Sequence, residues 1–361
     1  MLALSPKADG LVEADESIEI VLDDGKGYNV AIDKNECRSV ITSANTQVSS
    51  PIDLENAVNN KNIWTINGFV PDGRSGFSVN AAGDVNGDGL DDIVVTSYQG
   101  AYVVFGRTAT EPTRLDSDGQ LFGGFYIACR GQVERAGDIN GDGLDDLIAG
   151  NFGIVFGKKS TGSVADYPQG TSGFLVGKGA NVTSAGDFNG DGLADILVGN
   201  PGYTGGGVYL RGQAYIVFGK TDGIWADSSG PVNGCNGFVI TGDSQYNEEL
   251  GLNVAGVGDI NGDGLSDIMI QEENALDKQG DTETTYRCKS FVIFGRREQE
   301  PITLDSISRG VGGFAIETSY NFSFGDISAA GDVNGDGLAD MAIGRANWSQ
   351  VYVVFGKTSG D

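Results

Sequence analysis

The chain has 361 residues, 58 of them glycine, with 50 acidic against 23 basic side chains, a formal charge of −27 and no histidine. That charge excludes nucleic acid and anionic lipid as electrostatic partners. The missing histidine excludes His-based triads, His–zinc sites and the usual general base.

At the N-terminus, Met1 to Lys7 carries too short an apolar run for a signal peptide, and no stretch is long enough to span a membrane. Residues 1–62 read as an N-terminal β segment, with strands near Ile18–Leu22, Tyr28–Ile32 and Ser39–Thr42. It is either a degenerate repeat or a set of flanking hairpins. Residues 63–361 form the second region, built on a nine-residue pattern, Asp-x-Asn-Gly-Asp-Gly-Leu-x-Asp, that recurs five times from Asp84, Asp138, Asp187, Asp259 and Asp332.

In the first copy, alternate positions present the oxygens of Asp84, Asn86, Asp88 and Asp92 and the backbone carbonyl of Leu90. A chain that turns tightly at its two glycines aims such alternate groups at one centre, and hard oxygens in a flexible ring suit Ca²⁺ better than Mg²⁺. The same ligand roles fall to Asp138, Asn140, Asp142, Leu144 and Asp146, and then to Asp187, Asn189, Asp191, Leu193 and Asp195. The last two copies supply Asp259, Asn261, Asp263, Leu265 and Asp267, and Asp332, Asn334, Asp336, Leu338 and Asp340. About five Ca²⁺ ions are expected. An EF-hand would need a bidentate Glu at position 12 on an exiting helix. Val95, Ala149, Val198, Ile270 and Ile343 stand there instead, within short apolar runs that read as buried strands.

Loop starts are spaced by 54, 49, 72 and 73 residues, so the unit is constant at its centre and variable in its connections. After each loop comes an apolar run ending Phe-Gly, at Phe105, Phe156, Phe218, Phe294 and Phe355. A Gly-Phe mark begins at Gly68, Gly124, Gly173, Gly237 and Gly313. Each repeat thus holds four short strands, the signature of a β-propeller blade. The fold expected is all-β, a propeller with five recognisable blades and a total between five and seven. The strand before the last Phe-Gly lacks a successor, and the strand around Trp64 to Val70 lacks predecessors. Pairing the two would close a five-bladed ring and remove the sheet edges.

With loop, Phe-Gly and Gly-Phe marks in fixed order over residues 63–356, the chain resembles the FG-GAP repeat family. That family is typified by the β-propeller head of integrin α chains and by bacterial surface proteins and some fungal lectins. The family's Gly-Ala-Pro is blurred, Gly199-Asn200-Pro201 being the nearest match, and the familiar heads have seven blades. The resemblance implies a calcium-stabilised extracellular or cell-surface module for protein interaction or adhesion. A carbohydrate-binding, lectin-like propeller is the alternative, with a propeller enzyme a more distant one because the motif carboxylates are assigned to calcium. The partner implied is an extracellular protein or glycan.

Strand order puts the acidic loops on one face and the long connections of repeats 3 and 4 on the other. Those connections and their neighbours carry Tyr203, Tyr209, Arg211, Tyr246, Tyr286, Arg287, Tyr320 and Phe322, residue types common in contact surfaces on rigid scaffolds. Cys37, Cys129, Cys235 and Cys288 have no zinc spacing. Asn181, Asn321 and Asn347 match the glycosylation sequon.

Overall fold

The computed structural model describes residues 18–22, 28–33, 38–43, 63–68, 73–109, 111–116, 123–129, 131–150, 153–164, 172–176, 181–204, 211–222, 237–242, 249–276, 286–298, 301–317, 325–345 and 349–358. The chain divides into two compact units, Met1–Thr65 and Ile66–Asp361. In the first, β1 (Ile18–Leu22), β2 (Tyr28–Asp33) and β3 (Arg38–Ser43) form an antiparallel meander.

In the second unit a short strand, β4 (Ile66–Asn67), precedes the blades. Blade 1 consists of β5 (Val79–Gly83), β6 (Asp92–Thr96), β7 (Ala101–Val104) and, after the two-residue β8 (Thr113–Arg114), β9 (Gly124–Ile127). Blade 2 follows with β10 (Val133–Gly137), β11 (Asp146–Ala149), β12 (Gly153–Val155) and, beyond β13 (Gly162–Val164), β14 (Gly173–Leu175). Blade 3 has β15 (Asn181–Gly186), β16 (Asp195–Asn200), β17 (Gln213–Val217) and β18 (Gly237–Thr241). Blade 4 has β19 (Val254–Gly258), β20 (Asp267–Leu276), β21 (Tyr286–Ile293) and β22 (Gly313–Glu317). Blade 5 contributes β23 (Ile327–Gly331), β24 (Asp340–Arg345) and β25 (Gln350–Val354).

The strands of each blade form an antiparallel meander in sequence order, and β13 adds a fifth strand to blade 1, parallel to β9. The Gly of four of the five Gly-Phe marks lies opposite the residue before Phe-Gly: Val104 opposite Gly124, Val155 opposite Gly173, Val217 opposite Gly237 and Ile293 opposite Gly313. The first strands of successive blades, β5, β10, β15, β19 and β23, lie side by side. Burial and, after it, the charge of the Asp326 carboxylate raise the Glu134 carboxyl on β10. The fold is an all-β propeller of four-stranded blades.

One apolar cluster fills each junction between neighbouring blades. Between blades 1 and 2 it is built from Val94, Val103, Phe125, Val133 and Leu147, among others. Between blades 3 and 4 it is built from Leu197, Ile216, Phe238, Ile268 and Phe291. A strand with neighbours on both faces needs an unbroken apolar run, and Ile196, Leu197 and Val198 are all fully buried. Ile196 and Val198 face the junction with blade 2, while Leu197 faces that with blade 4.

Two features depart from the sequence reading. The strand at Ile66–Asn67 pairs parallel with β8 rather than with β25, because Leu115 N–H donates to the Asn67 carbonyl and the Asn67 amide reaches the Thr113 carbonyl. Among the described residues β25 therefore has no fourth strand, and Val351 and Phe355 on blade 5 are 69% and 56% exposed. The connection into β22 also holds a one-turn helix, α1 (Leu304–Ser308), capped by the Thr303 hydroxyl, with Leu304 and Ile307 buried against the blade 3–4 cluster.

Candidate metal centres

All five acidic loops join the first strand of a blade to its second, at one end of the sheet. Their glycines are dictated by backbone geometry: Gly87 and Gly89 sit at φ of 74° and 84°, and their counterparts in the other copies repeat these values within a few degrees. With the chain turned so, three consecutive N–H groups point inward at the first carboxylate. Asp84 accepts from Gly87 at 2.7 Å, Asp88 at 3.1 Å and Gly89 at 2.8 Å. Asp187, Asp259 and Asp332 repeat all three bonds, and Asp138 repeats the two from its glycines. Burial opposes ionisation of Asp84, yet these backbone donors hold its carboxyl below the ordinary value.

The fifth-position acid is bound from both sides. Its Oδ1 accepts the N–H of the loop leucine at 2.9 Å in every copy, as Asp88 does from Leu90 and Asp191 from Leu193. In copies 1, 3, 4 and 5 its Oδ2 accepts the third-position amide, as in Asn86 to Asp88 at 3.0 Å and Asn189 to Asp191 at 2.9 Å.

The ninth-position acid is different, and the sequence reading did not foresee its place. Asp92, Asp146, Asp195, Asp267 and Asp340 are all fully buried. Each accepts one N–H from loop position 2 and one from the glycine of Phe-Gly: Asp195 takes Phe188 N–H and Gly219 N–H, both at 2.9 Å. The same two bonds occur in the other four blades. This pairing explains the Phe-Gly mark, since a Cβ on Gly219 would stand 2.5 Å from the Ala194 carbonyl and 2.9 Å from that of Ile139. Burial pushes the Asp195 carboxyl up to about 8, with the Asp191 charge adding to it; Asp146 and Asp267 rise to about 7 and Asp92 to about 6.

Neighbouring loops are stitched together through the backbone. Position 8 of one loop donates to the position 1 carbonyl of the loop before it: Asp145 to Asp84, Ala194 to Asp138, Ser266 to Asp187 and Ala339 to Asp259, at 2.8–3.0 Å. Lys220, Arg296 and Lys357, each just after Phe-Gly, donate to Ile139, Phe188 and Ile260 of the preceding loop. Blade 1 has an extra link, because Asp145 Oδ2 accepts Asp84 N–H and Oδ1 accepts Arg135 Nε, both at 2.8 Å. These contacts carry little sequence signal, since most act through main chain.

The donor set fits a hard divalent cation. Each loop supplies in its sequence three carboxylates, an amide oxygen and a carbonyl, and among the described residues the acids at positions 1, 5 and 9 are met by backbone N–H groups rather than by an ion pair. The described side chains do not gather three acids into a ready metal cluster. The acids at positions 1 and 5 are turned onto backbone donors, the arrangement that relieves carboxylate repulsion.

At the opposite end of the blades the sequence-selected residues fare unevenly. Tyr203 is half-buried and its carbonyl accepts Gly212 N–H at 3.2 Å, while Arg211 donates to the Gly242 carbonyl, so both order their own loop. Tyr209, Tyr246, Tyr320 and Phe322 lie outside the described residues, as do the side chains of Tyr286 and Arg287 and the sequons at Asn321 and Asn347. Asn181 donates its Nδ2 to the Leu252 carbonyl of the next blade, so the atom that glycosylation would use is engaged in the fold. Cys129 and Cys288 are buried in separate apolar clusters, whereas Cys37 and Cys235 lie outside the described residues.

An exposed group that sequence reasoning missed stands on blade 1. Phe77 and Tyr98, 68% and 57% exposed, have ring centroids 5.9 Å apart, and the Arg74 guanidinium lies 4.8 Å over the Tyr98 ring. Arg74 also donates to the Tyr98 hydroxyl from a left-handed backbone, φ 50°. The αL turn at Gly73-Arg74-Ser75-Gly76 was the available signal.

The FG-GAP repeat family matches residues 76–110 and 179–217, in blades 1 and 3, and the chain carries FG-GAP repeats. Integrin alpha pat-2 of Caenorhabditis elegans is 29% identical over 276 residues, covering 74% of this chain and 18% of that protein. Integrin alpha pat-2 of Caenorhabditis briggsae is 28% identical over 271 residues, covering 73% and 17%. The chain thus spans under a fifth of the length of these relatives. Among solved structures, the WD40 domain of SCAP from fission yeast aligns with 99% of this chain and 73% of its own at 10% identity and a TM-score of 0.35.

Proposed function

We propose that this chain, whose blades are FG-GAP repeats, is a calcium-stabilised, non-catalytic β-propeller that binds an extracellular protein through the blade end opposite the acidic loops. The observation that carries the calcium reading is the loop itself, in which three carboxylates per copy are held by backbone donors and the ninth-position acid is buried. Asp84, Asn86, Asp88, Asp92 and the Leu90 carbonyl would hold the ion in blade 1, with the equivalent residues in the other four. Bound calcium supplies positive charge to a cluster that otherwise has only N–H groups to offset it.

The integrin α relatives favour a cell-surface or extracellular setting and a protein partner. No described helix is long and apolar enough to cross a membrane. Phe77, Tyr98 and Arg74 support that end as the contact face, because exposed aromatic and arginine groups on a rigid scaffold are common binding anchors. The same exposed rings favour a glycan as the second reading, since sugars stack on aromatic faces. An array of extracellular proteins and glycans, probed with and without calcium, separates the two. Capture of a protein that is lost in the Tyr98→Ala variant supports the first, and calcium-dependent capture of glycans alone replaces it with the second. Capture of neither class contradicts the binding role.

A further inference from the structure

We infer that Arg297 of blade 4 sets the calcium affinity of the blade 3 loop, making it weaker than the loops that have a threonine in the same place. This rests on the calcium reading above and adds an order of filling to it. The position 4 glycine of each of the first four loops is covered by two side chains from the following blade. One is the loop leucine: Leu144 over Gly87, Leu193 over Gly141, Leu265 over Gly190 and Leu338 over Gly262. The other is the third residue after the phenylalanine of Phe-Gly, and it changes from junction to junction.

That residue is Lys159, Thr221, Arg297 and Thr358 in turn. A Cβ on Gly190 would stand 2.7 Å from Arg297 Nε and 3.1 Å from Nη2, and one on Gly87 would stand 3.3 Å from Lys159 Cε and 3.7 Å from Nζ. On Gly141 and Gly262 the nearest atoms of this residue are the methyls of Thr221 and Thr358, at 2.5 Å and 3.3 Å, and Gly335 of the last loop has nothing within 4 Å. A cationic side chain thus lies against loops 1 and 3, whereas loops 2 and 4 have a neutral methyl. Gly190 N–H in turn donates to Asp187, the first acid of its loop, at 2.7 Å, so the guanidinium is one residue away from the ligand set.

A unit positive charge that close repels a divalent ion and partly neutralises the loop when it is empty. Both effects lower affinity, by about threefold to tenfold at surface dielectric, and both are screened by salt. Loop 3 is the clean case. At loop 1 the Asp145 carboxylate, bonded to Asp84 N–H, and the Arg135 guanidinium paired with it add charges of their own beside that of Lys159. Arg297 is exposed and, among the described residues, makes no hydrogen bond or ion pair, so its removal leaves the junction intact.

The test is calcium titration by isothermal calorimetry on chelator-treated protein, comparing the unaltered chain with Arg297→Thr, Arg297→Lys and Thr358→Arg at low and moderate salt. The expected result is that Arg297→Thr tightens one weak site by about threefold to tenfold and removes much of its salt dependence. Arg297→Lys should keep the weak site, and Thr358→Arg should create another. An Arg297→Thr isotherm that coincides with that of the unaltered chain overturns the inference while leaving the calcium reading standing, as does an Arg297→Lys isotherm that matches Arg297→Thr. An unaltered chain that binds no calcium overturns both.

Discussion

The two ends of the blades are built on different rules. At the loop end most bonds recur from copy to copy, and the pair of N–H groups on the buried ninth-position acid recurs in all five. At the other end the backbone pattern persists while the side chains change: the corresponding strand position is Thr96, Gly150, Gly199, Gln271 and Gly344. Thr96 bonds back to Ser78, Gln271 receives the Asn253 amide at 2.6 Å, and Gly199 leaves room for the Gly251 carbonyl of the next blade. Repetition marks what the fold needs at every junction, and variation marks the end that is free to become specific.

Substitutions at the two ends should therefore differ in kind, and the largest effect belongs to the hub. Asp195→Ala strips the acceptor from Phe188 N–H and Gly219 N–H in a buried site, and should cost about 3–5 kcal/mol in urea unfolding. A loss below 1 kcal/mol would place the ninth acid among the dispensable ligands. Gly219→Ala comes next, at about 1–3 kcal/mol by overpacking against two carbonyls. Asp88→Ala at a turn on the surface should leave the chain folded and reduce the calcium stoichiometry by one; loss of every site would show the stitched loops to be one cooperative unit. At the opposite end Tyr98→Ala should change stability by less than about 0.5 kcal/mol yet weaken a bound partner tenfold or more. A Tyr98 variant that unfolds instead would erase the distinction between the ends.

Much of this was legible because it is written in side-chain pattern. The nine-residue loop, the Phe-Gly and Gly-Phe marks and the short apolar runs led to four-stranded blades in the observed order. The ninth acid was read as one more ligand because sequence shows residue type and not burial; that it ties the loop to Phe-Gly is visible only in three dimensions. The bonds from Ala194, Ser266 and Ala339 to the preceding loop use backbone N–H groups, which any residue supplies, so those variable positions gave no sign of their role. Strand β4 found β8 instead of β25 because two-residue strands have no periodicity to read. The exposed Arg74, Phe77 and Tyr98 carry no length signal in sequence, because they stand on a tight left-handed turn rather than on a long connection.

Thermal unfolding as a function of free calcium tests the central claim most directly, since a ligand that binds only the folded blades must stabilise them. At one hundred times the dissociation constant each independent site adds about 2.7 kcal/mol, so the midpoint should climb steadily with calcium and fall on adding a chelator, with magnesium much less effective. A midpoint that ignores calcium, in a chain that unfolds cooperatively, would contradict the reading of the five loops as calcium clips.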